Sequence, residues 1–156
     1  MPEPGYREPG YRGPQVCKIV GITYRQLDYW ARTELVRPSV MDANGSGTQR
    51  LYSYRDLVEL KVIKQMLDAG ISLQSARKAV ESLRAFDEDL ASIRIVIQGP
   101  TIVLAQSDEQ VMDLLRGGQG VLSVVLDIQP LQQTITAAVQ LALNIDPDAT
   151  TRAAAR

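Results

Sequence analysis

The sequence predicts a mainly α-helical N-terminal half followed by a small α+β half of order β-β-α-β-α. Three observations lead there. Apolar residues recur at helical spacing, with capping signals, from Pro14 to about Leu83. Short β-rich runs separated by Gly-Pro and Gly-Gly then occupy Ile93 to Ile128. The charge also changes sign. Residues 1–84 hold 13 Lys+Arg against 9 Asp+Glu, or +4, and residues 85–156 hold 4 against 9, or −5, which together give the chain's −1. A basic half joined to an acidic one fits a nucleic-acid-binding module followed by something else.

The first helix opens at Pro14, where a missing N–H is not needed. Val16, Cys17 and Val20 share one face, and Gly21 suits the left-handed backbone that ends a helix. Thr23 and Gln26 form a T-x-x-Q capping box for a second helix, with Ile22 and Leu27 as its hydrophobic staple. Trp30 continues the buried face. Tyr24, Arg25, Asp28, Tyr29 and Arg32 are left outside. Two short helices meeting at a sharp turn, the second presenting a polar, aromatic and basic face, outline a helix-turn-helix. The competing reading is a plain helical hairpin with a solvated face.

Pro38 in Leu35 to Ser39 ends the helical run. Asn44 to Gly47 is turn chemistry between two short segments able to pair as a hairpin. A hairpin beside a helix-turn-helix is a wing, and Gln49, Arg50 and Tyr52 sit on its returning strand. Ser53 with Asp56 caps a third helix over Tyr54 to Ala69, closed by Gly70, and Ser72 caps a fourth.

These segments in this order resemble the MerR family of winged helix-turn-helix transcription regulators. The matching runs are Ile22 to Ser39, Gln49 to Leu60 and Met66 to Val80, within Tyr11 to Leu83. The resemblance implies DNA contacts from Tyr29, Arg50 and Tyr52, and Arg37 matches a basic position of the family close to the turn. It departs at position 28, where the family usually carries arginine and this chain carries Asp28. Asp28 either accepts from a cytosine amine or pairs with Arg25 or Arg32 on its own helix, and the second is favoured. Thr23, Tyr24 and Arg25 lie at the helix start, the part that reaches base edges. Tyr29, Arg32, Arg37, Gln49, Arg50 and Tyr52 complete the expected DNA-binding set, with phosphate contact the role of Tyr29, Arg37, Arg50 and Tyr52. For each arginine a solvated surface charge is the plain alternative, and for Trp30 and Tyr52 it is core packing, preferred for Trp30.

In the second half, Ile93–Ile97 and Thr101–Ala105 read as a hairpin around Gly99-Pro100. Ser107 with Gln110 caps a helix that buries Val111, Leu114 and Leu115. Val121–Ile128 is a third strand, and Pro130 opens a last helix with Leu131, Ile135, Ala138, Val139 and Ala142 inward. A domain this small is marginal alone, so a partner subunit is expected to pack on its last helix or a sheet edge, the competing reading being packing against the chain's own DNA-binding half.

The expected organisation is a flexible arm (1–12), a winged helix-turn-helix domain (13–86), an α+β dimerisation or effector domain (91–144) and a disordered tail (145–156). Composition narrows the chemistry. The chain has no histidine and one cysteine, Cys17, read as a small core residue. No carboxylates pair, GGQG at 117–120 is a turn and not a nucleotide loop, and no metal or cofactor is expected. No apolar run is long enough to span a membrane. Arginine outnumbers lysine 13 to 4, which fits a high-GC, actinobacterial source. The reading is a cytoplasmic, non-enzymatic homodimer that binds double-stranded DNA at an inverted repeat, with RNA polymerase as the partner implied by the resemblance and any effector unknown. The alternative is a protein–protein adaptor that keeps a weak DNA-binding module.

Overall fold

The computed structural model describes residues 10–41, 50–86 and 89–145, without the side chains of 142–145. These fall into two compact units, one comprising residues up to Leu60 together with those from Ala138 onward, the other Lys61–Ala137. Asp87 and Glu88, between the two expected domains, the wing tip at Asn44 to Gly47 and the ends at 1–9 and 146–156 lie outside the described residues.

The first unit starts with a feature the sequence reading missed. Tyr11–Arg12, assigned above to a flexible arm, form a strand, β1, paired antiparallel with β2 (Leu51–Tyr52). Gly10 allows this approach, since a Cβ there would sit 2.7 Å from Leu51 Cβ. On its other side, Leu51 bridges Met41, with N–H to carbonyl distances of 2.8 Å and 3.1 Å. The wing therefore has its hairpin base at Met41 and Leu51, and β1 makes a third segment.

Helix α1 spans Gly13–Val20 with proline in its first turn, and Gly21 at φ 84° ends it. Helix α2 spans Tyr24–Arg32. Its cap is the expected one: Gln26 N–H donates to Thr23 Oγ1 at 3.1 Å, and Thr23 N–H to Gln26 Oε1 at 3.0 Å. Val16, Ile19, Val20, Ile22, Leu27 and Trp30 are buried where the two helices cross. Cys17, expected in the core, is only half-buried, and Ile19 takes the inward position. That partial burial holds the thiol pKa above its ordinary value.

Helix α2 ends earlier than Pro38 requires. Glu34 adopts φ 62°, Leu35 N–H donates to the Trp30 carbonyl at 2.9 Å and Glu34 N–H to the Ala31 carbonyl at 3.2 Å. This is a Schellman closure with glutamate in the left-handed position that glycine usually fills. Leu35 and Trp30, the positions whose apolar contact accompanies this closure, are both buried.

Helix α3 runs Tyr54–Asp68 and closes at Gly70 (φ 83°), and α4 runs Leu73–Arg84 from the Ser72 cap. In the second unit, strands β3 (Arg94–Gln98), β4 (Thr101–Ala105) and β5 (Ser123–Asp127) form an antiparallel sheet of order β4-β3-β5. Helix α5 (Asp108–Gly117) lies between β4 and β5 in sequence, and α6 (Ile128–Ile145) follows β5. The expected β-β-α-β-α order is present.

Central strand β3 is covered on both faces. Val96 packs with Ala105, Val111, Leu114 and Leu115, while Ile95 and Ile97 are buried on the opposite face. Gln98 Nε2 donates to the Leu114 carbonyl at 2.7 Å, and Arg94 pairs with Asp108 and, at 3.2 Å, Asp127. The third strand is shorter than expected. Val121 and Leu122 form an exposed approach to it, and Ile128 already belongs to α6, whose first turn accommodates Pro130.

Candidate nucleic-acid interface

The amphipathic design of α2 sets out one face of the first unit. Leu27, Trp30 and Ala31 turn inward. Tyr24 and Tyr29, 59% and 50% exposed, turn outward with Arg25 and Arg32, which are also exposed. Thr23 is exposed at the cap, its side chain committed to Gln26. Trp30 is core, in keeping with the packing role assigned to it.

Asp28 is the hinge of the electrostatics. Its Oδ2 lies 2.9 Å from Arg32 Nε one turn along, so the expected intrahelical pair forms with Arg32. Its Oδ1 accepts a hydrogen bond at 2.7 Å from Arg50 Nη1, 22 residues away on the wing. One carboxylate thus ties the second helix to the returning strand. The Arg50 hydrogen bond is the main cause holding the Asp28 carboxyl below the usual carboxylate range. The same bond raises the Arg50 pKa, to which Tyr52 and Tyr24 add electrostatically. Tyr24, Asp28, Arg50 and Tyr52 therefore converge where helix and wing meet.

Two members of the expected set change standing. Tyr52 is fully buried, so its side chain belongs to the core and not to an accessible phosphate-contacting surface. The cause is its strand: β2 is flanked by β1 and the Met41 segment and lies beside α1, leaving its inner face covered. Arg50, expected at the surface, keeps only 20% of its side chain exposed. Arg37 is exposed and pairs with Glu34 at 3.3 Å. Gln49 lies outside the described residues.

A second group escaped sequence reasoning. Asp56, buried at the start of α3, accepts at Oδ2 from Ser53 N–H (2.9 Å), Ser39 N–H (2.8 Å) and Ser39 Oγ (2.7 Å). The S-x-x-D cap was legible, but not that Ser39, just after Pro38, closes on the same oxygen. The knot fixes both ends of the wing against the helix that follows it.

Among the described residues, no group of three or more His, Cys, Asp or Glu could hold a metal ion, and no helix is long and apolar enough to cross a membrane.

Residues 11–83 match the family model described as MerR HTH family regulatory protein. Over this stretch the chain belongs to the MerR family. Three similar relatives carry the name uncharacterized HTH-type transcriptional regulator, one from Mycobacterium bovis and two from strains of Mycobacterium tuberculosis. Each is 55% identical over 118 residues, covering 75% of this chain and 52% of the relative. The chain thus spans about half the length of the curated relatives it matches. The MerR-family stretch contains α2, the Asp28 bridge, the described part of the wing and the Asp56 knot. The α+β sheet from Arg94 onward lies beyond it.

Proposed function

We propose that the chain is a sequence-specific DNA-binding transcription regulator that acts as a homodimer on an inverted-repeat site. The observation that carries this reading is the outward face of α2, where Tyr24, Arg25 and Tyr29 stand exposed on a capped helix packed firmly from behind. In this reading the first turn of α2 enters a major groove, with Arg25 able to make a bidentate pair with guanine. Tyr29, Arg32, Arg37 and Arg50 contact phosphate and set the orientation, and Thr23 and Gln49 complete the proposed contact set.

The DNA-binding module is assigned to 13–86 and the dimer contact to 91–144. The modest basic excess of the first half supports two modules binding together. Support for a contact in the second half comes from β5, an edge strand approached by Val121 and by Leu122, which is 85% exposed. Edge strands and clustered exposed apolar groups are surfaces that pairing covers. RNA polymerase at a promoter is the further partner this reading accommodates.

Incubation of the chain with host genomic fragments, followed by sequencing of those retained at two salt concentrations, tests the proposal. Enrichment of a shared, twofold-symmetric motif, lost in Arg25→Ala, is the expected result. Retention without any shared motif contradicts it. An adaptor role is the second reading, and the observation favouring it is Asp28, whose negative charge occupies two arginines of the face that would meet DNA.

A further inference from the structure

We propose that Asp28 is a specificity-determining residue that acts by competing with backbone phosphate for Arg32 and Arg50. This rests on the DNA-binding reading and deepens it. The two carboxylate oxygens are divided: Oδ1 takes Arg50 Nη1 at 2.7 Å and Oδ2 takes Arg32 Nε at 2.9 Å. Three charged side chains therefore present a net charge of +1 where two arginines alone would present +2.

Charge-assisted pairs of this length are the strong ones, and a phosphate oxygen recruiting either guanidinium must displace or share a carboxylate oxygen already in place. The two arginines differ in how firmly they are held. Arg32 is well exposed, whereas the Arg50 side chain is mostly buried and its Nε is enclosed with no hydrogen-bond acceptor among the described residues. Arg50 is therefore the guanidinium whose direction depends most on Asp28.

Phosphate attraction is present on every DNA sequence, so a carboxylate that offsets it weakens binding to all duplexes alike. Base-edge contacts from the first turn of α2 exist only on the right sequence. Offsetting the common part leaves the sequence-dependent part to decide residence. Asp28 thus raises discrimination by lowering generic affinity, and it need touch no base to do so.

The test uses fluorescence anisotropy of the full chain with a labelled mixed-sequence duplex and with a duplex selected by the wild-type chain from a randomised pool, across a salt series. For Asp28→Asn, affinity for the mixed-sequence duplex rises several-fold at low salt, and log K falls more steeply with log salt by about one unit, the contribution of roughly one added phosphate contact. The ratio of selected to mixed-sequence affinity falls. Asp28→Glu, which keeps the charge, returns slope and ratio toward wild type, and the gain disappears when Arg50→Gln is combined with Asp28→Asn. A residue that merely braced the wing would weaken binding when neutralised, so unchanged or reduced mixed-sequence affinity with an unaltered salt slope overturns the proposal. Failure of the wild-type chain to bind either duplex overturns the DNA-binding reading itself, and this inference with it.

Discussion

Ser39 Oγ donates to Asp56 Oδ2 at 2.7 Å across 17 residues of chain, and that contact closes the base of the wing. The same oxygen caps α3 through Ser53 N–H and also receives Ser39 N–H. A turn after Pro38 and a helix start are thereby fixed to one buried atom, with β2 and Arg50 immediately upstream of the cap.

Replacing Asp56 removes a charged acceptor from one buried and two part-buried donors at once. Asp56→Ala is expected to destabilise the chain by about 2–4 kcal/mol, since hydrogen bonds to charged groups contribute about 1.5–3 kcal/mol and the buried Ser53 N–H is left unsatisfied. Ser39→Ala, which keeps the backbone donor, costs about 1 kcal/mol. Urea unfolding followed by circular dichroism measures both, and equal small effects would show that the knot does not hold the wing.

Glu34 occupies a backbone region that costs a side-chain-bearing residue about 1–2 kcal/mol. Glycine relieves this but carries more unfolded-state freedom, and it forgoes an exposed pair with Arg37. Glu34→Gly is therefore expected to leave stability unchanged or raise it by roughly 0.5 kcal/mol. Glu34→Val, branched at Cβ, lowers it by about 1 kcal/mol or more. Thermal unfolding that ranks valine at or above glycine contradicts the Schellman closure.

Gly10 tests the strand that the sequence reading missed. A Cβ at this position meets Leu51 Cβ at 2.7 Å, so Gly10→Ala forces β1 away from β2 at a cost of about 1–3 kcal/mol. Amide hydrogen exchange should quicken at Tyr11 and Arg12 in the variant. Unaltered protection there would mean the β1–β2 pairing is dispensable.

The depressed Asp28 pKa fixes the direction of a pH effect. A carboxyl whose folded value lies below its unfolded value adds stability that is complete above the unfolded pKa, about 3.9, and is lost as pH falls through the folded value. The stability gap between the wild type and Asp28→Asn is expected to be constant from neutral pH down to about pH 5 and to shrink only below about pH 4. Denaturant midpoints measured across that range check it, and a gap that closes near neutrality would contradict the Arg50 and Arg32 pairing.

What the sequence revealed was the short-range part of this structure. Thr23 with Gln26, Ser53 with Asp56, Ser72, and Ser107 with Gln110 each announce a helix start within four residues, and each helix begins there. Thr101–Ala105 could be bounded because Gly99-Pro100 and Ser107 punctuate it. The misses are contacts between distant segments. Two residues at Tyr11–Arg12 carry no strand periodicity, and only the distant partner β2 makes them a strand. Tyr52 reads as outward until β1 and α1 are known to enclose its strand. Asp28 showed its spacing to Arg32 but gave no sign of Arg50. Glu34 hid a helix end because the signal expected there is glycine.

The proposed function requires the exposed face of α2 to enter a major groove. Dimethyl sulfate protection on a duplex selected by the chain reports guanine N7, which lies on the major-groove edge. Protected guanines are expected in two symmetry-related half-sites, about one helical turn or a multiple of it apart, with protection lost in Arg25→Ala while Arg50→Ala weakens binding without erasing the pattern. A bound duplex whose guanine N7 atoms all remain reactive would contradict it.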